Sequence, residues 1–393
     1  MKILTFSTLY PNDQFPSHGI FVETRLRHLL KNFDRVSTRV VAPVPWFPSA
    51  NPRFGRYARF AQISQSEIRH GIDITHPRYL QIPKFGMNSA PHFLARASLS
   101  VLKKLITDGF DFDIIDAHYY YPDGVAAVIL GRQLGKPVVI TARGTDINLI
   151  PKFPKPRVKI LEAARQAAAS ITVCEALKSE LERLGAESGK IVALRNGVDL
   201  ELFHPIDRAQ ARLRLGWTQK TLLSVGHLIE RKGHHLVIEA MRDLPDYRLV
   251  VIGSGEEEAA LHELSRSMNV SERVDFIPSI KQSELKTYYG AADGLVLASS
   301  REGWANVLLE AMACGTPVVA TSIWGTPEVV KSREAGVLIP ERTAAAISNG
   351  VLALFADYPD HGATRRYAES FNWRDTSERQ MALFESVLQR GAV

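Results

Sequence analysis

Short runs rich in Val, Ile and Leu alternate with amphipathic stretches along the whole chain. In the first half the apolar runs are MKILTFST, VSTRVVAPV, FDIIDAH, KPVVITARG, SITVC and KIVALRNG. Between several of them lie IFVETRLRHLLKNF, DGVAAVILGRQLG and ALKSELERLG, whose apolar positions recur at helical spacing. The second half repeats this grammar with TLLSVG, RLVVIGSG, VDFIPS, DGLVLASS, TPVVAT and GVLIP. Near-continuous apolar strands separated by helices predict parallel sheets covered on both faces. Two such sets predict two doubly wound α/β domains, as does a length of 393 residues, too long for one ordinary core. The boundary falls in RNGVDLELFHPIDRAQARLRLG, giving domains over 1–200 and 201–370, and WRDTSERQMALFESVLQR predicts a terminal helix within 371–393. Ligands of open α/β sheets bind beyond the carboxyl ends of the strands, and a cleft between two such domains is the default site.

Composition narrows the classes. Hydrophobic residues at 45% and charged residues at 23% are those of a globular chain. No apolar run is long enough to span a membrane, and MKILTFSTLY lacks the h-region of a signal peptide, so a cytoplasmic home is expected. Cys174 and Cys314 stand in apolar contexts and suggest neither a disulfide framework nor a zinc site. The net charge of +6 is unevenly spread: residues 1–199 carry 27 Lys and Arg against 17 Asp and Glu, the remainder 21 against 25. A basic half suggests an anionic substrate or the anionic surface of a membrane. Nucleic acid is disfavoured, because no zinc-finger spacing or RNA-binding signature accompanies the charge.

The chemistry concentrates in REGWANVLLEAMACGTPVVAT, residues 301–321. A helix opening near Asn306, after the strand-like DGLVLASS, offers free backbone N–H groups and a positive dipole end, which suit phosphate. Glu310 follows Asn306 by four residues and shares its helical face, placed to accept hydrogen bonds from ribose hydroxyls. Glu302, on the loop before the helix, would reach another part of the same ligand. Spacing alone is equally compatible with two solvated surface acids.

This segment resembles the signature of glycosyltransferase family 4, nucleotide-sugar-dependent transferases of the GT-B fold: two Rossmann-like domains facing a cleft. The hallmark is a pair of glutamates separated by seven residues and followed by EAMACGTPVVA. SVGHLIERKGHHLVIEAM, VVIGSGEE, RNGVD, DIIDAHYYYPDGVAA and FNWRDTSERQ are similar to further family segments, in the same order. The resemblance implies an amino-terminal acceptor-binding domain, a carboxyl-terminal donor-binding domain, and a last helix that packs back toward the first. It also implies transfer of a hexosyl unit from a nucleotide diphosphate sugar to an acceptor hydroxyl, with retention of configuration.

Roles carry over by position. Glu310 would hold the donor ribose and Glu302 the sugar hydroxyls beside the reacting carbon. Backbone amides around Asn306 and Val307 would hold the diphosphate, and Lys232 would neutralise the leaving phosphate. Gly19 in SHGIF would let the first helix approach the phosphates, and His118 would contact the sugar from the opposite wall. Gly226, Gly253 and Gly303 lie in the matching donor segments. The chain departs from the family at His227, where an Arg is usual, and Arg231 is placed to substitute. It also departs at Arg143, where many relatives have His. Arg143 suits an anionic acceptor, a phosphate or a structural salt bridge, and the sequence leaves these open. Tyr119 and Tyr120 are acceptor candidates or packing at the rim of the cleft.

Asp111-Phe112-Asp113 has the form of a metal-binding Asp-x-Asp, but it abuts a predicted strand and reads as solvated acids at a strand edge. No metal or other cofactor is expected. PWFPSANPRFGRYARF interleaves Arg53, Arg56 and Arg59 with Phe54, Tyr57 and Phe60, a spacing that fits either a surface loop or a turn at a membrane surface. The acceptor is expected to be a glycan, a lipid-linked molecule or a small molecule. The alternatives are a nucleotide-sugar epimerase of the same fold and a non-catalytic nucleotide-sugar-binding protein. A dehydrogenase is disfavoured, since no G-x-G-x-x-G follows the first strand.

Overall fold

A computed structural model describes residues 1–81 and 86–391. The chain forms two compact units, one of residues 1–195 with 373–393, the other of residues 196–372. The terminal helix Trp373–Gly391 therefore belongs to the first unit, and the chain passes between units at 195–196 and at 372–373.

In the first unit the strands are β1 (Lys2–Phe6), β2 (Ser37–Val41), β3 (Val44–Pro45), β4 (Ser66–Arg69), β5 (Ile72–Thr75), β6 (Arg78–Tyr79), β7 (Ile114–His118), β8 (Val138–Ala142), β9 (Ala169–Thr172) and β10 (Ile191–Ala193). Eight of them form one sheet in the order β10-β9-β8-β7-β1-β2-β5-β4, parallel except for the antiparallel pair β4–β5. β3 and β6 make a separate parallel pair. Every residue of β7 and β8 is buried, as a strand covered on both faces requires. β4 alternates exposed and half-buried positions, so it gave no apolar run to notice in the sequence. On one face Met381, Phe384 and Val387 of the terminal helix pack with Ile3, Ile114, Val139 and Ile171.

In the second unit the strands are β11 (Lys220–Val225), β12 (Tyr247–Ile252), β13 (Val274–Ile277), β14 (Gly294–Leu297), β15 (Val318–Thr321) and β16 (Gly336–Ile339). All are parallel, in the order β13-β12-β11-β14-β15-β16. β11 lies between β12 and β14, which continue the chain in opposite directions across the sheet. This is a topological switch point, where loops diverge and leave a crevice at the carboxyl ends. Leu222, Leu249, Val251, Val296 and Val319 anchor the core beneath it, with Ile347, Val351 and Leu354 of helix Ala344–Ala356.

Phe384 is fully buried between the terminal helix and the first sheet. Phe384→Ala is expected to cost about 3–5 kcal/mol in urea unfolding, with faster amide exchange in β1 and β7 but not in β11. Unchanged exchange in β1 and β7 would contradict this packing.

Candidate active site

The second unit brings three loops together at the carboxyl ends of β11, β12 and β14. After β11 come Gly226, the exposed His227 and a single turn over Glu230–Lys232, leading into helix His234–Ala240. Gly253 follows β12, and a methyl group there would lie 1.9 Å from Gly226 O, so the two loops touch backbone to backbone. His234 Nε2 donates to His227 O at 3.2 Å, and Ser224 Oγ donates to His234 Nδ1 at 2.8 Å. Burial lowers the His234 pKa to about 4, which keeps it the neutral brace this tautomer requires. Arg342 ties the loops after β11 and β14 together, donating to Glu230 O at 2.7 Å and Ala298 O at 2.8 Å.

Glu302 stands on the loop after β14, with buried Gly303 beside it. Lys232 Nζ lies 2.7 Å from its Oε1, Arg231 approaches to 3.6 Å, and Ser299 Oγ donates at 2.7 Å. Burial opposes ionisation of Glu302, but Lys232, Arg231 and Ser299 outweigh it and hold the carboxyl below the usual range. Arg231 also donates to Arg301 O at 2.8 Å, which fixes the loop that carries Glu302.

Helix Asn306–Ala313 begins four residues later, with Ala305 at its N-cap and no side-chain cap. Its first turn carries the positive dipole end, with Asn306 N donating to Trp304 O and Leu308 N to Ala305 O, each at 3.1 Å. Asn306 Oδ1 accepts from Asn196 Nδ2 at 3.3 Å, and Val307 is half-buried. One turn on, Glu310 accepts from Gln282 Nε2 at 3.0 Å and from Tyr289 OH at 3.1 Å. Burial raises the Glu310 pKa against the pull of these two donors. Helix Gln282–Ala291 supplies both partners, and no motif in the sequence marked either.

The first unit builds a polar tier at the ends of β1, β7 and β8. Ser7 Oγ donates to His118 O at 3.1 Å, and buried Asp123 accepts from the Thr8 hydroxyl at 3.0 Å and from Thr8 N. These bonds fix the loop against which Gly19 packs. Gly19 opens helix Ile20–Asn32 with φ 68°, and a methyl there would sit 2.3 Å from Leu9 O, so no other residue fits. Tyr119, half-buried at the end of β7, has φ 81°, a strained position of the kind that gathers at functional sites.

His118 is buried between Asp116 and Arg143. Its Nε2 is 3.2 Å from Asp116 Oδ2, and Arg143 Nη2 is 2.6 Å from Nδ1. Since the guanidinium only donates, Nδ1 accepts and Nε2 carries the proton. Desolvation, against the pull of Asp116, lowers the His118 pKa to about 4. Gln380 of the terminal helix donates to Asp116 Oδ2 at 3.2 Å and accepts from Arg25 Nε at 2.7 Å. His118 is thus a positioned neutral ring, not a proton carrier near neutrality.

The second unit therefore gathers Lys232, Arg231 and Glu302 into one ionic cluster, with Gly226, His227, Gly253 and Gly303 on adjoining loops and Asn306, Val307 and Glu310 on the next helix. Tyr120 is corrected: it is fully buried, with its hydroxyl 2.6 Å from Ser170 Oγ and its N–H on Asp146, and packs in the core instead of facing an acceptor. Arg143 engages His118 and stacks on Phe21, 5.3 Å from its centroid. Asp111 pairs with Lys136 at 2.7 Å and Asp113 caps Lys2 N at 2.7 Å. The described residues contain no group of three or more His, Cys, Asp or Glu disposed to hold a metal.

Buried His118 and His234 set a pH response. Their folded pKa of about 4 lies below the unfolded value of about 6.5. The unfolded chain therefore binds more protons between these limits, and stability falls with pH by about 1.4 kcal/mol per unit for each group. Buried Asp123, its carboxyl pushed up to about 7 by desolvation, acts in the opposite sense over the same range, so the direct test is ¹⁵N NMR, which is expected to show His118 neutral and protonated on Nε2 from pH 6.5 to 5. A folded-state His118 titrating near pH 6.5 would contradict it.

Residues 206–371 match the family model described as glycosyl transferases group 1, and residues 72–202 match that of glycosyltransferase family 4. D-inositol 3-phosphate glycosyltransferase 1 of Catenulispora acidiphila is 30% identical over 309 residues, covering 72% of this chain and 74% of that protein. TuaC of Bacillus subtilis (strain 168), whose name provisionally assigns it as a glycosyltransferase of teichuronic acid biosynthesis, is 28% identical, covering 89% of this chain and 88% of its own. Among solved structures, Alr3699/HepE of Anabaena in complex with UDP superposes with a TM-score of 0.74 at 19% identity, covering 98% of this chain and 100% of that one. The fold is GT-B, and the chain belongs to the group 1, family 4 glycosyltransferases.

Proposed function

We propose that the protein transfers a hexosyl unit from a nucleoside diphosphate sugar to an acceptor hydroxyl, with retention of anomeric configuration and without a metal. The observation that carries this reading is the cluster of Lys232 and Arg231 on the buried carboxylate of Glu302, in the loop that leads to an uncapped helix end. The bond from the anomeric carbon to the diphosphate oxygen breaks with its electron pair going to that oxygen. The growing charge on the leaving group needs fixed donors and cations. The amides of Val307 and of Asn306, whose N–H donates to Trp304 O at 3.1 Å and would turn to the phosphate, supply the donors, and Lys232 supplies the cation, shared between Glu302 and the phosphate. Arg231 stands in for the arginine that His227 replaces.

Glu302, held ionised, accepts hydrogen bonds from sugar hydroxyls. Glu310, kept in place by Gln282 and Tyr289, accepts them from the ribose. Gly226, Gly253 and Gly303 leave room for backbone to approach the donor. Retention follows if the acceptor oxygen attacks from the face the diphosphate leaves and gives its proton to the departing phosphate oxygen. The UDP complex of the Anabaena protein supports a nucleotide donor. The names of the inositol phosphate and teichuronic acid relatives support an acceptor in glycoconjugate or polysaccharide synthesis.

The anomeric ¹H signal of the first-formed product tests the stereochemistry: the donor's configuration is expected, and inversion would overturn the front-face step. Glu310→Ala is expected to weaken binding of the nucleoside diphosphate about 10–100-fold, the loss of charge-assisted hydrogen bonds, in isothermal titration. Lys232→Ala is expected to lower kcat about 10²–10³-fold in a product-formation assay. Unchanged diphosphate affinity in Glu310→Ala would remove the ribose role.

A further inference from the structure

Among the described residues, ten large apolar side chains are exposed: Trp46, Phe54, Tyr57, Ile68, Leu80, Met87, Phe153, Val158, Leu213 and Leu352. Seven of them fall in three stretches of the first unit, and these stretches adjoin. β3 and β6 pair, and Trp46 N donates to Tyr79 O at 2.8 Å, which sets Trp46 beside Leu80. Helix Ala90–Thr107 packs on β6 and on the turn Gly86–Asn88, and helix Pro154–Gln166 packs on the same turn, where Lys159 Nζ donates to Asn88 O. Met87, Phe153 and Val158 thereby continue the surface that Trp46, Phe54, Tyr57 and Leu80 begin.

The charge along two of these stretches has one sign, with exposed Asp13, bonded to Ser64 Oγ at 2.8 Å, at the margin. From Arg35 to Ser66 the sequence has no Asp or Glu, and it has none from Asn148 to Leu161. The first stretch exposes Arg53, Arg56 and Arg59, the second Lys152, Lys155 and Arg157. The first set is braced by aromatic rings: Arg53 lies 4.8 Å from the Phe54 centroid, Arg56 5.5 Å from Phe60, and Arg59 4.1 Å from Phe15. Phe47 meets Phe54 edge-on at 5.4 Å and Tyr57 at a tilt at 5.5 Å. Folding has left this much apolar area in water beside unneutralised cations, which is the make-up of a membrane-interface surface. A polyanion in solution would be met by the cations alone and gives no reason for an exposed Trp46, about half accessible.

We propose that this face of the first unit docks on a bilayer containing anionic lipid, with Trp46, Phe54 and Tyr57 entering the headgroup layer and the two arginine and lysine sets lying against the phosphates. The bilayer is the one occupant that meets both features, by charge complementarity and by taking up apolar side chains. The patch lies outside the donor cluster and uses none of its residues, so docking and transfer can be tested separately.

Flotation with vesicles of phosphatidylglycerol and phosphatidylcholine, compared with phosphatidylcholine alone, tests the proposal on the full chain. Binding is expected only to the anionic vesicles, weakened by salt. The double substitutions Arg53→Gln with Arg56→Gln, and Lys155→Gln with Arg157→Gln, should each weaken binding about thirtyfold, at about 1 kcal/mol per residue. Brominated lipid should quench wild-type tryptophan fluorescence but not that of Trp46→Phe, since Trp217, Trp304 and Trp373 are buried and Trp324, half-buried, belongs to the second unit. Glu310→Ala should bind vesicles as the wild type does, which separates failure here from failure of the donor reading. Equal binding to neutral vesicles, or full binding by either double variant, would overturn the proposal. So would heparin binding as tight as vesicle binding with Trp46 unquenched, which would instead mark the face as a polyanion site.

Discussion

The site in the second unit depends on a buried carboxylate kept ionised. Glu302 is nearly inaccessible, and burial alone would drive it toward the neutral acid. Lys232 at 2.7 Å, Arg231 at 3.6 Å and the Ser299 hydroxyl at 2.7 Å reverse that tendency. Such a group accepts hydrogen bonds strongly, because water does not compete for it. The cations are constrained in turn. Lys232 is half-buried at the end of a single turn, and its aliphatic stem passes close to Gly226, where an added methyl would lie 3.5 Å from Lys232 Cε. Cluster, loops and helix end are one device: each places the next, and the parallel sheet places them all.

The first unit shows the same economy with another outcome. A chain of buried polar groups runs from Arg25 through Gln380 and Asp116 to His118 and Arg143. Because Gln380 lies on the terminal helix, the last residues of the chain take part in fixing a ring at the end of β7. Buried polar networks are costly unless their members find partners, and they then specify one arrangement. Here the arrangement sets the tautomer of His118 and keeps the ring neutral. The terminal helix therefore fixes the surroundings of His118 as well as covering the core.

How much of this was legible in the sequence follows from the range of the interactions. Strands β7, β8, β11, β12 and β14 could be read because burial on both faces leaves near-continuous apolar runs. β4, with one face in water and short alternation, could not. Glu302, Glu310 and Lys232 could be singled out because they stand in short segments that resemble those of the family. Gln282, Tyr289 and Ser299, which orient the two acids, come from neighbouring elements whose pairing only the fold creates. The contact between Gln380 and Asp116 spans 264 residues and has no local signature. Tyr120 misled for a related reason: in a run of three tyrosines at a strand end, only the backbone turn at Tyr119 decides which ring goes inward.

The account rests on a diphosphate held between the Lys232–Glu302 pair and the first turn of helix Asn306–Ala313. The most direct measurement is NMR titration of the labelled protein with whichever of UDP, GDP or ADP binds, following the backbone amides of Asn306 and Val307 and the Lys232 Nζ. The account predicts downfield shifts at both amides and a concurrent shift at Lys232, saturating together. Saturating nucleotide that shifts resonances elsewhere and leaves these three unmoved would contradict it.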